Sequence, residues 1–338
     1  MGDVLAALKN KPAYVHAKGT VMSAIPLEAD AGPDTAAPGI EGRSTVRQVL
    51  TRLRRDRVAV ASAVVIVLLV VVALAAPLIA RLTGHDPTTQ YRSTGLTPAG
   101  LPVGPNRQFW FGTDNLGRDV FIRVVYGTRI SLLVGVVSTV LAIVAGVVVG
   151  VTAGYFQGAV DTVLARFMDV VLSLPFLLFA IALVAVAGPS IVVSVCVIAF
   201  FSFAAVGRIV RGQTLSIRER EYIEAARSLG ASDLRIMAVD VVPNLIAPVI
   251  VYTTLLIPTA IVFEATLSFL GMGVVPPTPT WGNMLSDSLQ YYQVAWWFIL
   301  FPGLALLITT LAFNLLGDSV RDALDPSTFT SASVKSRS

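Results

Sequence analysis

The chain has 338 residues, of which 55% are hydrophobic and only 14% charged, against about 25% charged in a soluble domain. Charge this scarce, withdrawn from long apolar runs, excludes an ordinary soluble domain and places most of the chain in lipid. The formal net charge of +4 is no nucleic-acid signature, because the basic residues flank apolar runs and do not form one stripe.

Residues 1–45 are rich in Ala, Gly and Pro without a period and read as a flexible cytoplasmic tail. They are no signal peptide, since the first apolar run begins only at Val58. Val58 to Ala80 is 23 residues, roughly 34 Å as a helix, which crosses a hydrocarbon core of about 30 Å. Ile130 to Ala153, free of charge, is the second span. Its Gly146, Gly150 and Gly154 either let a second helix approach closely or are ordinary glycines of a membrane helix. Val170 to Ala187 and Ile191 to Val206 are the third and fourth spans, parted by a tight turn at Gly188, Pro189 and Ser190. The single cysteine, Cys196, has no partner for an intrachain disulfide and reads as a small buried hydrophobe. Ile246 to Leu270 is apolar except for Glu264, and Ala295 to Leu316 completes the set. The expected fold class is an all-α membrane protein with six transmembrane helices. A transmembrane domain 46–326, with an outer loop 81–129 and a cytoplasmic loop 207–245, lies between the tail 1–45 and a flexible tail 327–338.

With the N-terminus inside, nineteen of the 25 Lys and Arg residues fall in inner segments. The other six all lie between Arg81 and Arg129. This excess predicts cytoplasmic N- and C-termini. Tyr291, Tyr292, Trp296 and Trp297 are then expected at the outer interface, where amphipathic rings are favoured.

The loop between the fourth and fifth spans carries the densest local pattern. Tyr222, Ile223, Ala226 and Leu229 share one helical face, and Arg220 and Glu224 are spaced to pair. Gly230 suits a helix C-terminus, and Ser232 or Asp233 caps a second short helix, which Pro243 is expected to stop. Ala225 and Ala226 supply a flat face on which another protein can sit. Glu224-Ala225-Ala226, with Gly230 and Pro243 at this spacing, resembles the "EAA" loop of ATP-binding-cassette importer permeases. In that family the loop is a coupling helix that docks into the ATPase subunit. The resemblance implies docking roles for Tyr222, Glu224, Ala225, Ala226, Leu229, Gly230 and Pro243.

Three further stretches agree. Phe111-Gly-Thr-Asp-Asn-Leu-Gly-Arg-Asp-Val-Phe-Ile-Arg123, Ser268-Phe-Leu-Gly-Met-Gly273 and Pro276-Pro-Thr-Pro-Thr-Trp-Gly-Asn283 are similar to the dipeptide, oligopeptide and nickel subfamily, specifically its C-type subunit. Ile122 and Asp240 depart from the residues usual there. From the residues themselves, Asp114 to Gly117 is a turn followed by an amphipathic helix on the outer face. Asp114, Gly117, Arg118, Asp119 and Arg123 form either a structural ion-pair cluster or a docking surface for a substrate-binding protein. Glu264 is the one ionisable group well inside a span and should face the bundle interior. It either accepts hydrogen bonds from neighbouring helices or the loop around Trp281 and Asn283, or contacts solute in a path or gate.

No G-x-x-x-x-G-K-[ST] sequence is present, so this chain holds no ATP by that loop. The histidines, His16 and His85, have no metal-ligand cluster and no nucleophile–base pair stands out, so no metal, catalytic site or bound cofactor is expected. ATP and Mg would be used by partner subunits. The resemblance implies a peptide importer of the bacterial inner membrane, a heterodimer with a homologous permease subunit, two ATP-binding-cassette ATPase subunits and an external substrate-binding protein. Nickel chelates or another small solute are the alternative cargo. The rival classes are a stand-alone secondary transporter or channel, which would need repeats or intramembrane charge chains, and a membrane enzyme, which would need a paired catalytic constellation within the spans.

Overall fold

The structure, a computed structural model, describes residues 45–324. The expected tails therefore lie outside the described residues, apart from Thr45. The elements are α1 (Thr45–Arg55), α2 (Arg57–Thr83), α3 (Val120–Phe156), α4 (Gly158–Ser173), α5 (Phe176–Ala187) and α6 (Ile191–Arg218), then α7 (Glu221–Ser228), α8 (Asp233–Arg235), a π-helical turn (Ile236–Val241), α9 (Val242–Phe269), α10 (Trp281–Ser288) and α11 (Trp296–Leu324). Five helices are long and apolar enough to cross a membrane, and the bent pair of α4 and α5 makes a sixth span if counted as one. No strand occurs among the described residues. Large apolar side chains such as Leu74, Leu82 and Val186 point outward, a surface stable only against lipid or a partner chain.

Three spans depart from the reading of the sequence. The run Val170 to Ala187 is not one straight helix: α4 and α5 meet at 89°. Pro175 forces this, because a proline drives the residue before it out of the helical region, and Leu174 is extended at φ −78° and ψ 132°. The second span starts at Val120, not Ile130, because the Asp119 carboxylate caps it by accepting from the backbone of Phe121 at 2.8 Å. The short outer helix expected there is the first turns of α3 itself. Pro243 does not stop the helix after the loop. It occupies the first turn of α9, directly after a wider turn that accommodates a proline inside a continuing helix. The preceding turn is π-wound, Val242 N–H donating to Met237 O, and Asp233–Phe269 runs on as one span.

The centre of the bundle is the pairing of α3 with α6. A Cβ on Gly146 would stand 2.6 Å from Val206 Cγ1, one on Gly150 2.6 Å from Gly207 O, and one on Gly154 2.7 Å from Thr214 Cβ. The three glycines thus form a groove into which α6 settles, which is the close-approach reading of their spacing. Apolar side chains of α3, α4, α5, α6 and α9 fill the middle of the bundle.

Two further expectations are corrected. Trp297 is no interfacial anchor: it is buried and its indole Nε1–H donates to Thr113 O at 3.1 Å. An indole that finds a backbone acceptor loses little on burial. Cys196 is exposed, not buried, because it falls on the outward face of α6 with Val192.

Candidate functional site

The loop between α6 and α9 is a small, well-braced object. Ile223 of α7 is fully buried in a cluster with Val151 and Tyr155 of α3, Val206 and Val210 of α6, Ile236 and Val241 of the π-helical turn and Leu245 of α9. One buried isoleucine thus pins an eight-residue helix to the end of the bundle, contributing on the order of 2 kcal/mol by apolar burial. Ala226 packs at the edge of the same cluster. Tyr222 and Leu229, expected on this face, are instead exposed, Leu229 at 88%. Glu224, Ala225 and Pro243 are exposed as well. Eight residues offer little more than two turns, and Ile223 and Ala226 take up the narrow inward stripe.

The end of α7 is a complete Schellman motif. Gly230 sits at φ +83°, its N–H donates to Arg227 O at 2.9 Å, and the Ala231 N–H donates to Ala226 O at 3.1 Å. Both orphan carbonyls are thereby satisfied. Ser232 occupies the N-cap position of α8 without a side-chain cap bond. The expected Arg220–Glu224 pair does not form among the described residues. Tyr155 braces the loop instead: its hydroxyl donates to Asp233 Oδ1 at 2.7 Å, and the Arg227 guanidinium lies 5.1 Å over its ring. No sequence signal points to Tyr155, which closes a different span 78 positions from its partner.

At the opposite end of α3 lies a buried polar cluster. Asp114 accepts from Arg118 Nε at 2.6 Å and stands 3.3 Å from Arg123 Nε. Arg123 also donates to Pro87 O at 3.1 Å, and Arg118 reaches Asp287 at 3.6 Å. Asp119 pairs with His85, whose ring stacks on Phe109 at 5.1 Å. The turn that aligns these groups needs Gly117, at φ +74°, its N–H donating to Asp114 O at 3.0 Å. Asp114, Arg118, Asp119 and Arg123 are all at most 4% exposed, so their side chains face the interior of the loop and not a partner. Burial pushes the Asp119 carboxyl above its usual range against the pull of His85. Burial does the same to Asp287, opposed by the nearby Arg118 and Arg123. His85 and Asp287 were not singled out from the sequence, because their partners are 34 and about 170 positions away.

Glu264 is fully buried in α9. It accepts from Ser131 of α3 at 2.8 Å and from Ser268 of its own helix at 2.7 Å. Thr280, of the loop around Trp281 and Asn283, also hydrogen-bonds its carboxylate, while Trp281 and Asn283 themselves are engaged elsewhere. The Trp281 indole donates to Val124 O at 3.2 Å. Asn283 forms a capping box with Thr280 and donates to Thr278 O at 2.8 Å. These contacts seat α10 against α3 and α9: a Cβ on Gly282 would lie 2.3 Å from Ala265 O. Glu264, Trp281 and Asn283 are thus parts of one packed unit in which each side chain already has a protein partner.

Residues 146–330 match the family described as the binding-protein-dependent transport system inner membrane component. Residues 44–98 match the N-terminal transmembrane domain of oligopeptide transport permease C. The chain is 39% identical over 298 residues to a dipeptide transport system permease protein of Alkalihalophilus pseudofirmus, covering 87% of this chain and 95% of that one. It is 40% identical over 289 residues to a di/tripeptide transport system permease protein of Pseudomonas aeruginosa, covering 86% and 94%. It is 41% identical over 306 residues to a glutathione transport system permease protein of Escherichia coli O157:H7, covering 90% and 95%. Among solved structures, an inward-facing conformation of the MetNI methionine ABC transporter matches with a TM-score of 0.50 at 17% identity, over 60% of this chain and 96% of that one. At that identity it speaks for the fold alone.

Proposed function

Because the chain belongs to the family of binding-protein-dependent transport system inner membrane components, we propose that this permease carries short peptides and couples to its ATPase through α7. The chain is a multi-pass protein of the bacterial inner membrane and the permease subunit of an ATP-binding-cassette importer. Its ATP and Mg are used by two separate ATPase subunits. A homologous permease supplies the other half of the path, an external binding protein delivers solute, and both termini are cytoplasmic. The peptide cargo is supported by relatives named for dipeptides, di/tripeptides and glutathione, all short peptides.

The observation that carries the coupling role is the two-sidedness of α7. Ile223 locks it to the bundle, so a push on α7 moves α3, α6 and α9, while Glu224, Ala225 and Leu229 remain free for a partner. Introducing Cys at Ala225 in a Cys196→Ser background should give a cross-link to an ATPase subunit through a short thiol-to-amine linker, whereas Cys at Ile223 should give none. The reading fails if the Ala225 position never cross-links to an ATPase, or if the assembly imports labelled dipeptide without one. Uptake that ignores peptides while the Ala225 cross-link forms would overturn the cargo alone.

A further inference from the structure

The segment ahead of the first span is absorbed by neither the coupling role nor the outer cluster. In α1, apolar residues recur at positions 46, 49, 50 and 53, the one-face spacing of a helix. Its C-terminal turn carries Arg52, Arg54 and Arg55, and Arg57 opens the next helix. Only Asp56 separates α1 from α2, the most apolar span. Asp56 is extended at φ −80° and ψ 113°, which breaks the helical path and turns α1 away from the axis of the span. The bend is held: the Asp56 carboxylate accepts from Val58 N–H at 2.9 Å and from Ser319 Oγ of α11 at 2.7 Å. The carboxylate nearest the arginines is therefore occupied in fixing that bend. Arg54, Arg55 and Arg57 are exposed, and none of the three is in an ion pair among the described residues. Leu50 is also exposed, at 49%.

We propose that α1 is an interfacial anchor that binds the phosphate headgroups of anionic lipid beside the first span. An amphipathic basic helix lying across the start of a membrane helix places its arginines at headgroup depth and its leucines at the acyl boundary. Guanidinium groups pair phosphate oxygens in bidentate fashion. The occupant is lipid, because the surface is continuous with a span whose first turn starts two residues after Arg55 and combines the exposed Leu50 with Arg54, Arg55 and Arg57, which form no ion pair among the described residues. An attraction near such a surface amounts to about fivefold in affinity per arginine.

The test uses the full-length chain in detergent. Its thermal midpoint is read with added phosphatidylglycerol, phosphatidylcholine or inorganic phosphate at matched concentrations. Phosphatidylglycerol should raise the midpoint in a saturable manner, and the other two should not. R54Q/R55Q should weaken the phosphatidylglycerol dependence on the order of twenty-five-fold, two arginines at about fivefold each, with the lipid-free midpoint unchanged. R54K/R55K should keep most of it. If R54Q/R55Q yields no protein, R54Q alone, expected at about fivefold, decides. The proposal is overturned if R54Q/R55Q responds to phosphatidylglycerol as the parent does, if phosphatidylcholine raises the midpoint equally, or if inorganic phosphate reproduces the effect.

Discussion

Replacing Gly230 by valine isolates the backbone demand of the coupling loop. Gly230 sits at φ +83°, and a Cβ there meets nothing within 4 Å, so crowding by neighbours adds no cost. What remains is the left-handed penalty of about 1–2 kcal/mol for a residue with a Cβ, felt more by a β-branched one. The chain can relieve that strain by unwinding the last turn of α7. It then loses the Gly230–Arg227 and Ala231–Ala226 hydrogen bonds, each worth about 1 kcal/mol net. The two costs are of similar size, so the variant divides between a strained and a frayed turn, with Ile223 still anchored. Amides at 228–231 should exchange on the order of tenfold faster by mass spectrometry, the equivalent of about 1.4 kcal/mol. Membrane insertion should be unchanged, and in reconstituted vesicles peptide uptake should fall while ATP hydrolysis continues. Gly212, with no positive φ and equally open space, is the control: Gly212→Ala should be neutral, or stabilising by up to about 1 kcal/mol. A Gly230→Val protein with parental exchange and normal uptake would refute the reasoning.

Three other outcomes are expected. Gly150→Ala places a Cβ 2.6 Å from Gly207 O and must push α3 from α6, so the thermal midpoint should fall by the equivalent of about 1–3 kcal/mol; an unchanged midpoint would mean the helices part freely. Glu264→Leu strands the buried Ser131 and Ser268 hydroxyls at about 1–3 kcal/mol each, whereas Glu264→Gln keeps an acceptor and should lose less; equal loss in the two, read as midpoints, would contradict this. For Asp287 the carboxyl is raised by burial, so its protonated form favours the folded state. The stability it contributes is present in full below the ordinary aspartate value of about 3.9 and is lost as pH rises through its elevated folded value. Asp287→Asn should remove that part of the slope in midpoint scans from pH 4 to 7, and a slope identical to the parent's would exclude Asp287 as its source.

Legibility in the sequence divides along physical lines. Apolar runs report burial in lipid irrespective of neighbours, so the spans beginning near Val58, Ile191 and Ala295 were readable, as was the turn at Gly188 to Ser190. Gly230 was readable because its backbone requirement is local to one residue. Where an element's course depends on a single dihedral or cap, the run alone misled. Pro175 bends the third span by 89°, and Asp119 starts the second span at Val120 by capping it. Pairings were beyond reach, because hydrogen bonds and ion pairs depend on distance in space and leave no periodic trace. Tyr155 with Asp233, His85 with Asp119, and Ser131 with Glu264 are 78, 34 and 133 positions apart. Periodicity placed Tyr222, Ile223, Ala226 and Leu229 on one face of α7, but α7 ends at Ser228 and only Ile223 and Ala226 reach the cluster beneath it, so Ile223 is buried and Leu229 is not. Composition and local pattern thus determined that the chain lives in a membrane and carries a glycine-broken loop. Only the packing of α3 against α6 and α9 decided which side chains brace that loop and which are left for a partner.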